Sequence, residues 1–97
     1  MTAMSEQSFT EKQAIYSGHV QGVGFRWTAQ GVAKGFAVTG FVRNLRDGTV
    51  ELLAQGEAGE VGRFLDAVAD RLEANISEAA VMSVDGEPEL GRFEIRR

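Results

Sequence analysis

The chain has 97 residues, a net charge of -4 at pH 7, 43% hydrophobic residues and no cysteine. That length fits one domain with one modest core, burying roughly 60 to 65% of the surface its unfolded chain would expose, and the lack of cysteine excludes both a disulfide framework and a thiolate metal site. The opening MTAMSEQSFTE has no basic start and no apolar run of signal-peptide length, and nothing later approaches a membrane span. The expectation is a soluble, cytoplasmic monomer in which residues 1–10 form a disordered leader and residues 11–97 a single domain.

Gln13 to Val20 reads as a first strand, with Ala14, Tyr16, Gly18 and Val20 on one face. The run of glycines after it breaks the strand. From Phe25 the apolar positions Phe25, Ala29, Val32, Ala33 and Phe36 recur at helical spacing, and Gly35 supplies a left-handed stop. Val38 to Leu45 is a second strand, and Asp47-Gly48 signals a hairpin into a third, Thr49 to Ala54. Val61, Phe64, Leu65, Val68 and Leu72 draw one apolar stripe, predicting a second amphipathic helix from about Glu57 to Glu73. Ala79 to Val84 and Phe93 to Ile95 read as closing strands around the turn-rich Asp85-Gly86-Glu87-Pro88. The order βαββαβ, with a short extra strand, predicts an α+β, ferredoxin-like fold: an antiparallel sheet with both helices on one face.

Charge is uneven along this frame. No acid occurs between Gln13 and Arg46, where Arg26, Lys34, Arg43 and Arg46 sit, whereas the residues after Arg46 are strongly acidic. The first half is therefore suited to an anion, although acids clustering on helix and strand surfaces of the second half would give the same imbalance.

The stretch GHVQGVGFR, Gly18 to Arg26, joins the first strand to the first helix. A glycine-rich turn of this kind can aim several backbone N–H groups at one point, and the helix adds the positive end of its dipole, so phosphate is its natural occupant. Gly22 and Gly24 let the backbone approach oxygens closely, and Arg26 offers a planar fork for two of them. Glycine turns also solve purely steric problems. The loop is neither a Walker loop nor a dinucleotide fingerprint, and no cluster of histidine, cysteine and carboxylate has metal-ligand spacing. His19, the single histidine, reads as a bystander on the strand beside the loop. Asn44 precedes the Asp-Gly hairpin and is either a turn residue bonding its own backbone or an amide placed to hold a water. Trp27 either packs or forms a rim beside the loop.

GHVQGVGFR and GFVRNLRDGTVE together resemble the acylphosphatase family, whose pattern is GxVQGVGFR followed, after one helix, by GxVxNxxDGxVE. Ala79, Val81 and Val84 match the family's AxVxxV, and Phe93 and Ile95 its closing FxI. One departure is visible: Asn75-Ile76 stands where the family usually has Gly-Pro. The resemblance implies metal-free and cofactor-free hydrolysis of small-molecule acyl phosphates. It assigns phosphate binding to Arg26 and the backbone amides of Gly22, Val23, Gly24, Phe25 and Arg26, and orientation of the attacking water to Asn44. Two other readings compete. A phosphate-binding module without turnover would keep the loop. An RNA-recognition motif shares the element order, and KGFAVTGF, Lys34 to Phe41, superficially matches its aromatic octapeptide. That segment lies on the wrong strand, however, and the acidic balance disfavours nucleic acid, so Phe36 and Phe41 read as packing residues.

Overall fold

The computed structural model describes residues 9–97. The chain forms β1 (Phe9–Gly18), α1 (Phe25–Ala33), β2 (Val38–Asn44), β3 (Val50–Glu57), α2 (Ala58–Arg71), a 3-10 turn at Glu73–Asn75, β4 (Ile76–Ser83) and β5 (Phe93–Arg96). Of the expected leader, residues 1–8 lie outside the described residues; Phe9 and Thr10 are strand, paired with Glu57 and Gly56 of β3.

The sheet order is β4-β1-β3-β2-β5. Four strands pair antiparallel as expected, but β5 runs parallel to β2, so the sheet is mixed rather than wholly antiparallel. The path between β4 and β5 explains the direction. β4 ends beside Lys12, at the end of the sheet where β2 begins opposite Gly56. The following segment crosses the face without helices at that same end, and β5 therefore starts level with the start of β2. Side chains of β1 and β3 latch this crossing. The buried Gln55 amide donates to the Pro88 carbonyl at 3.0 Å and accepts from the Leu90 N–H at 2.8 Å, while Glu11 accepts from the Gly86 N–H. Gln55 also donates to Glu11, which leaves these polar groups buried but paired.

The other face carries the core. Ala14, Tyr16, Val42, Val50, Leu52 and Ala54 meet Phe25, Ala29 and Ala33 of α1 and Val61, Phe64 and Val68 of α2. Both helices thus use the stripes their spacing predicts. The Glu57 carboxylate starts α2 by accepting from the Gly59 and Glu60 N–H groups, a favourable negative charge at a helix N-terminus. Phe36 packs at a tilt on Phe64, and Phe41 is buried beneath the Arg96 guanidinium at 4.1 Å. The departure at Asn75-Ile76 is accommodated by the 3-10 turn, after which Ile76 is extended and packs on the core.

Tyr16 is 2% exposed and its ring lies 5.1 Å from that of Phe25. Burial pushes its hydroxyl up from 10.0 to about 12, because the phenolate would lose its water. Between pH 10 and 12 the unfolded chain therefore releases a proton that the folded chain keeps, and stability falls with rising pH across that window. Urea titrations at pH 9 and 11.5 should show this loss in the wild type, and Tyr16→Phe should make it distinctly smaller.

Candidate active site

At the end of the sheet where β1 and β2 finish, the glycine loop, the β2–β3 hairpin and the end of β5 surround a cavity of about 240 Å³. The loop is shaped by backbone geometry. Gly22 and Gly24 both have φ +78°, and a Cβ on either would meet nothing within 4 Å. Glycine is required there by the left-handed conformation, not by crowding. Gly24 caps α1, and its carbonyl accepts the Thr28 N–H at 2.9 Å to close the first turn. No acidic side chain lies in that turn, so the N–H groups at the start of α1, which lack intrahelical partners, keep their positive potential.

The loop is held from below and from the side. Val20 and Phe25 are almost wholly buried, and Val23 packs against the core. The Gln21 amide donates to the Leu45 carbonyl at 2.8 Å and the Thr49 carbonyl at 2.9 Å, tying the loop to the hairpin that follows Asn44. Sequence reading passed over this role of Gln21. Its signal in the sequence is its fixed place in the pattern GxVQGVGFR, which names the residue but not its partners.

Gly22, Gly24, Phe25, Arg26 and Asn44 all line the cavity. Of the six residues assigned to the site, Val23 alone does not line it; its side chain packs on the core, of which the Phe25 ring is itself a part. Arg26 is the second residue of α1, and its Nη1 donates to the Arg96 carbonyl at 3.4 Å, a long contact that ties the guanidinium to the end of β5. Asn44 is the last residue of β2, in register with Val50. The hairpin's own bonds fall to Asp47, whose carboxylate accepts from the Thr49 hydroxyl at 2.6 Å and the Thr49 N–H at 3.1 Å. Those bonds hold the Asp47 carboxyl below its ordinary range, the hydroxyl contributing most. The turn thus has its side-chain acceptor in Asp47, and Asn44 lies at the cavity.

The other basic residues of the first half, Lys34, Arg43 and Arg46, do not line the cavity. Arg43 lies on the outer face, paired with Glu51 at 2.6 Å. Trp27 is 75% exposed on the cavity rim, and His19 is exposed outside it. Three further residues line the cavity, Val20, Ile95 and Arg97. The two-residue strand period turns Ile95 of β5 to the face that carries the core, and Arg97, just past the strand, follows it if the alternation continues.

Comparison with known proteins agrees with this arrangement. The acylphosphatase family model matches residues 12–95. The chain is 42% identical over 82 residues to an acylphosphatase of Geobacillus thermodenitrificans, covering 84% of this chain and 87% of that protein. It is 40% identical over 94 residues to one of Hahella chejuensis, covering 95% and 99%. Its fold superposes on the structure of an acylphosphatase from Coxiella burnetii with a TM-score of 0.81 at 29% identity, covering 98% of this chain and all of that one. No described helix is long and apolar enough to cross a membrane. With a family match across nearly the whole described domain and the loop, arginine and asparagine gathered at one cavity, the chain belongs to the acylphosphatase family.

Proposed function

We propose that the protein hydrolyses acyl phosphates to a carboxylate and inorganic phosphate, with Arg26 and the Gly22–Arg26 amides holding the phosphoryl group and Asn44 orienting the water. The observation that carries this reading is the meeting of Arg26 and Asn44, from α1 and β2, at the cavity lined by Gly22 and Gly24. A cradle alone would serve a binding module. An amide beside it adds a place for a nucleophile.

The chemistry asks little more of the residues. The leaving carboxylate is a weak base and needs no general acid, and the phosphoryl group passes through a loose transition state in which positioning and charge neutralisation dominate. Arg26 supplies a forked donor for two phosphoryl oxygens, and the Asn44 amide accepts from a water while leaving its oxygen free to face phosphorus. That water's proton passes to a phosphoryl oxygen as the bond to phosphorus forms and the acyl oxygen departs with its electron pair. The same reading takes the protein to act as a monomer, in the cytoplasm and without nucleic acid, the last favoured by the chain's net charge of -4.

The reading is tested by following the absorbance of benzoyl phosphate with EDTA present. Turnover supports it, and a folded wild type without turnover removes it. Asn44→Ala should lower kcat by roughly 100-fold, the usual cost of losing one preorganised donor or acceptor, with KM nearly unchanged, because the substrate's phosphoryl group keeps all its ligands. Near-normal kcat in that variant would end the water-orienting role.

A further inference from the structure

We propose that Arg97 is a second phosphate ligand, so that the phosphoryl group is clamped between two guanidiniums, one from α1 and one from the end of β5. The inference rests on the reading of this cavity as a phosphoryl site and adds a residue to it.

Three observations converge. Arg97 lines the same cavity as Arg26 and Asn44, and none of the lining residues is acidic. The parallel register of β5 on β2 pairs Val42 with Ile95 and Arg43 with Arg96; β5 ends there, and the same register continued by one residue would set Arg97 level with Asn44, on the face of Ile95. The Arg26 guanidinium, bonded to the Arg96 carbonyl at 3.4 Å, lies against the residue that leads into Arg97.

Charge pairing separates these two arginines from those of β2 and β5, although Arg46 and Arg71 also lack an ion pair among the described residues. Arg43 pairs with Glu51, and Arg92 and Arg96 both pair with Glu94. Among the described residues, no carboxylate lies within salt-bridge distance of Arg26 or Arg97. Two arginines at one small cavity whose lining has no acidic side chain suit a doubly negative phosphoryl group.

A ligand that holds the phosphoryl oxygens equally before and during reaction affects binding more than turnover. The experiment measures inhibition of acetyl phosphate hydrolysis by inorganic phosphate, together with the phosphate-induced rise in Tm, for the wild type, Arg97→Ala, Arg97→Lys and Arg46→Ala. Arg46 is an exposed arginine of the β2–β3 turn that does not line the cavity, so its variant reports the general field alone. Arg97→Ala should weaken phosphate inhibition by roughly 10-fold or more, in line with loss of a charge-assisted hydrogen bond, and raise KM in parallel with kcat changed less than about 3-fold. Arg97→Lys should fall between, and Arg46→Ala should stay within about 2-fold at physiological salt. Phosphate inhibition in Arg97→Ala equal to that of the wild type, or weakened no more than in Arg46→Ala, overturns the clamp. If wild type turns over no acetyl phosphate, the hydrolase reading fails separately, and the Tm rise alone decides the clamp: lost in Arg97→Ala it stands, retained it falls.

Discussion

Arg26→Gln is expected to lower kcat/KM for benzoyl phosphate by at least 100-fold, with an unchanged circular dichroism spectrum. The size follows from what the residue supplies. Losing one preorganised donor in a catalytic site costs roughly 2.7 to 4 kcal/mol, and here a full charge facing the phosphoryl group is lost with it. Glutamine keeps some of the length and polarity, so the fold has no reason to change: the guanidinium makes one long bond to the Arg96 carbonyl and no ion pair among the described residues. Arg26→Lys should recover little of the loss, since a single ammonium cannot present two parallel N–H bonds to two oxygens. Restored activity in the lysine variant would show that charge alone suffices and that the fork is irrelevant.

Gly40→Ala is expected to destabilise the protein by about 3 to 5 kcal/mol, which in a domain of this size lowers Tm by more than about 12 °C. Gly40 lies in β2 between β3 and β5, paired with Ala54 on one side and Phe93 on the other. Its φ is +146°, and a Cβ there would fall inside the Leu53 carbonyl, with that residue's carbonyl carbon at 2.8 Å. The obstacle is backbone in a central strand, so no side-chain rotation clears it. Two costs combine, the left-handed dihedral and a displaced ladder. Gly22→Ala is the informative contrast. Its φ is +78° with open space around the position, so only the dihedral strain of about 1 to 3 kcal/mol applies. A thermal melt of both variants checks the ordering. Equal losses would mean that the contact with Leu53 is relieved at little cost.

Most of this architecture was legible because it is local. The apolar stripe Val61, Phe64, Val68, Leu72 fixes α2 and the face it buries, and Asp47-Gly48 fixes β2 and β3 as neighbours. The direction of β5 was not legible, because it depends on where the crossing segment lies. That segment is held by Gln55 and Glu11, residues distant from it in the chain. Strand alternation alone reads both residues as an exposed polar row; burial beneath the crossing makes them latches. The candidate site divides in the same way. Gly22, Gly24, Arg26 and Asn44, with Gln21, belong to two compact motifs that carry a family resemblance, but what Gln21 and Arg97 touch is set by tertiary structure. Gln21 reaches carbonyls across the hairpin, and Arg97 reaches the cavity only because β5 runs parallel to β2.

That last strand also sets when the site comes into being. The glycine loop and Asn44 are synthesised early, but Ile95, Arg97 and the Arg96 carbonyl that steadies Arg26 arrive with β5. Their docking closes a large loop in sequence, a slow class of contact. The residues of the glycine loop and Asn44 precede β5 in the chain, and the pocket is complete only when β5 has docked beside β2.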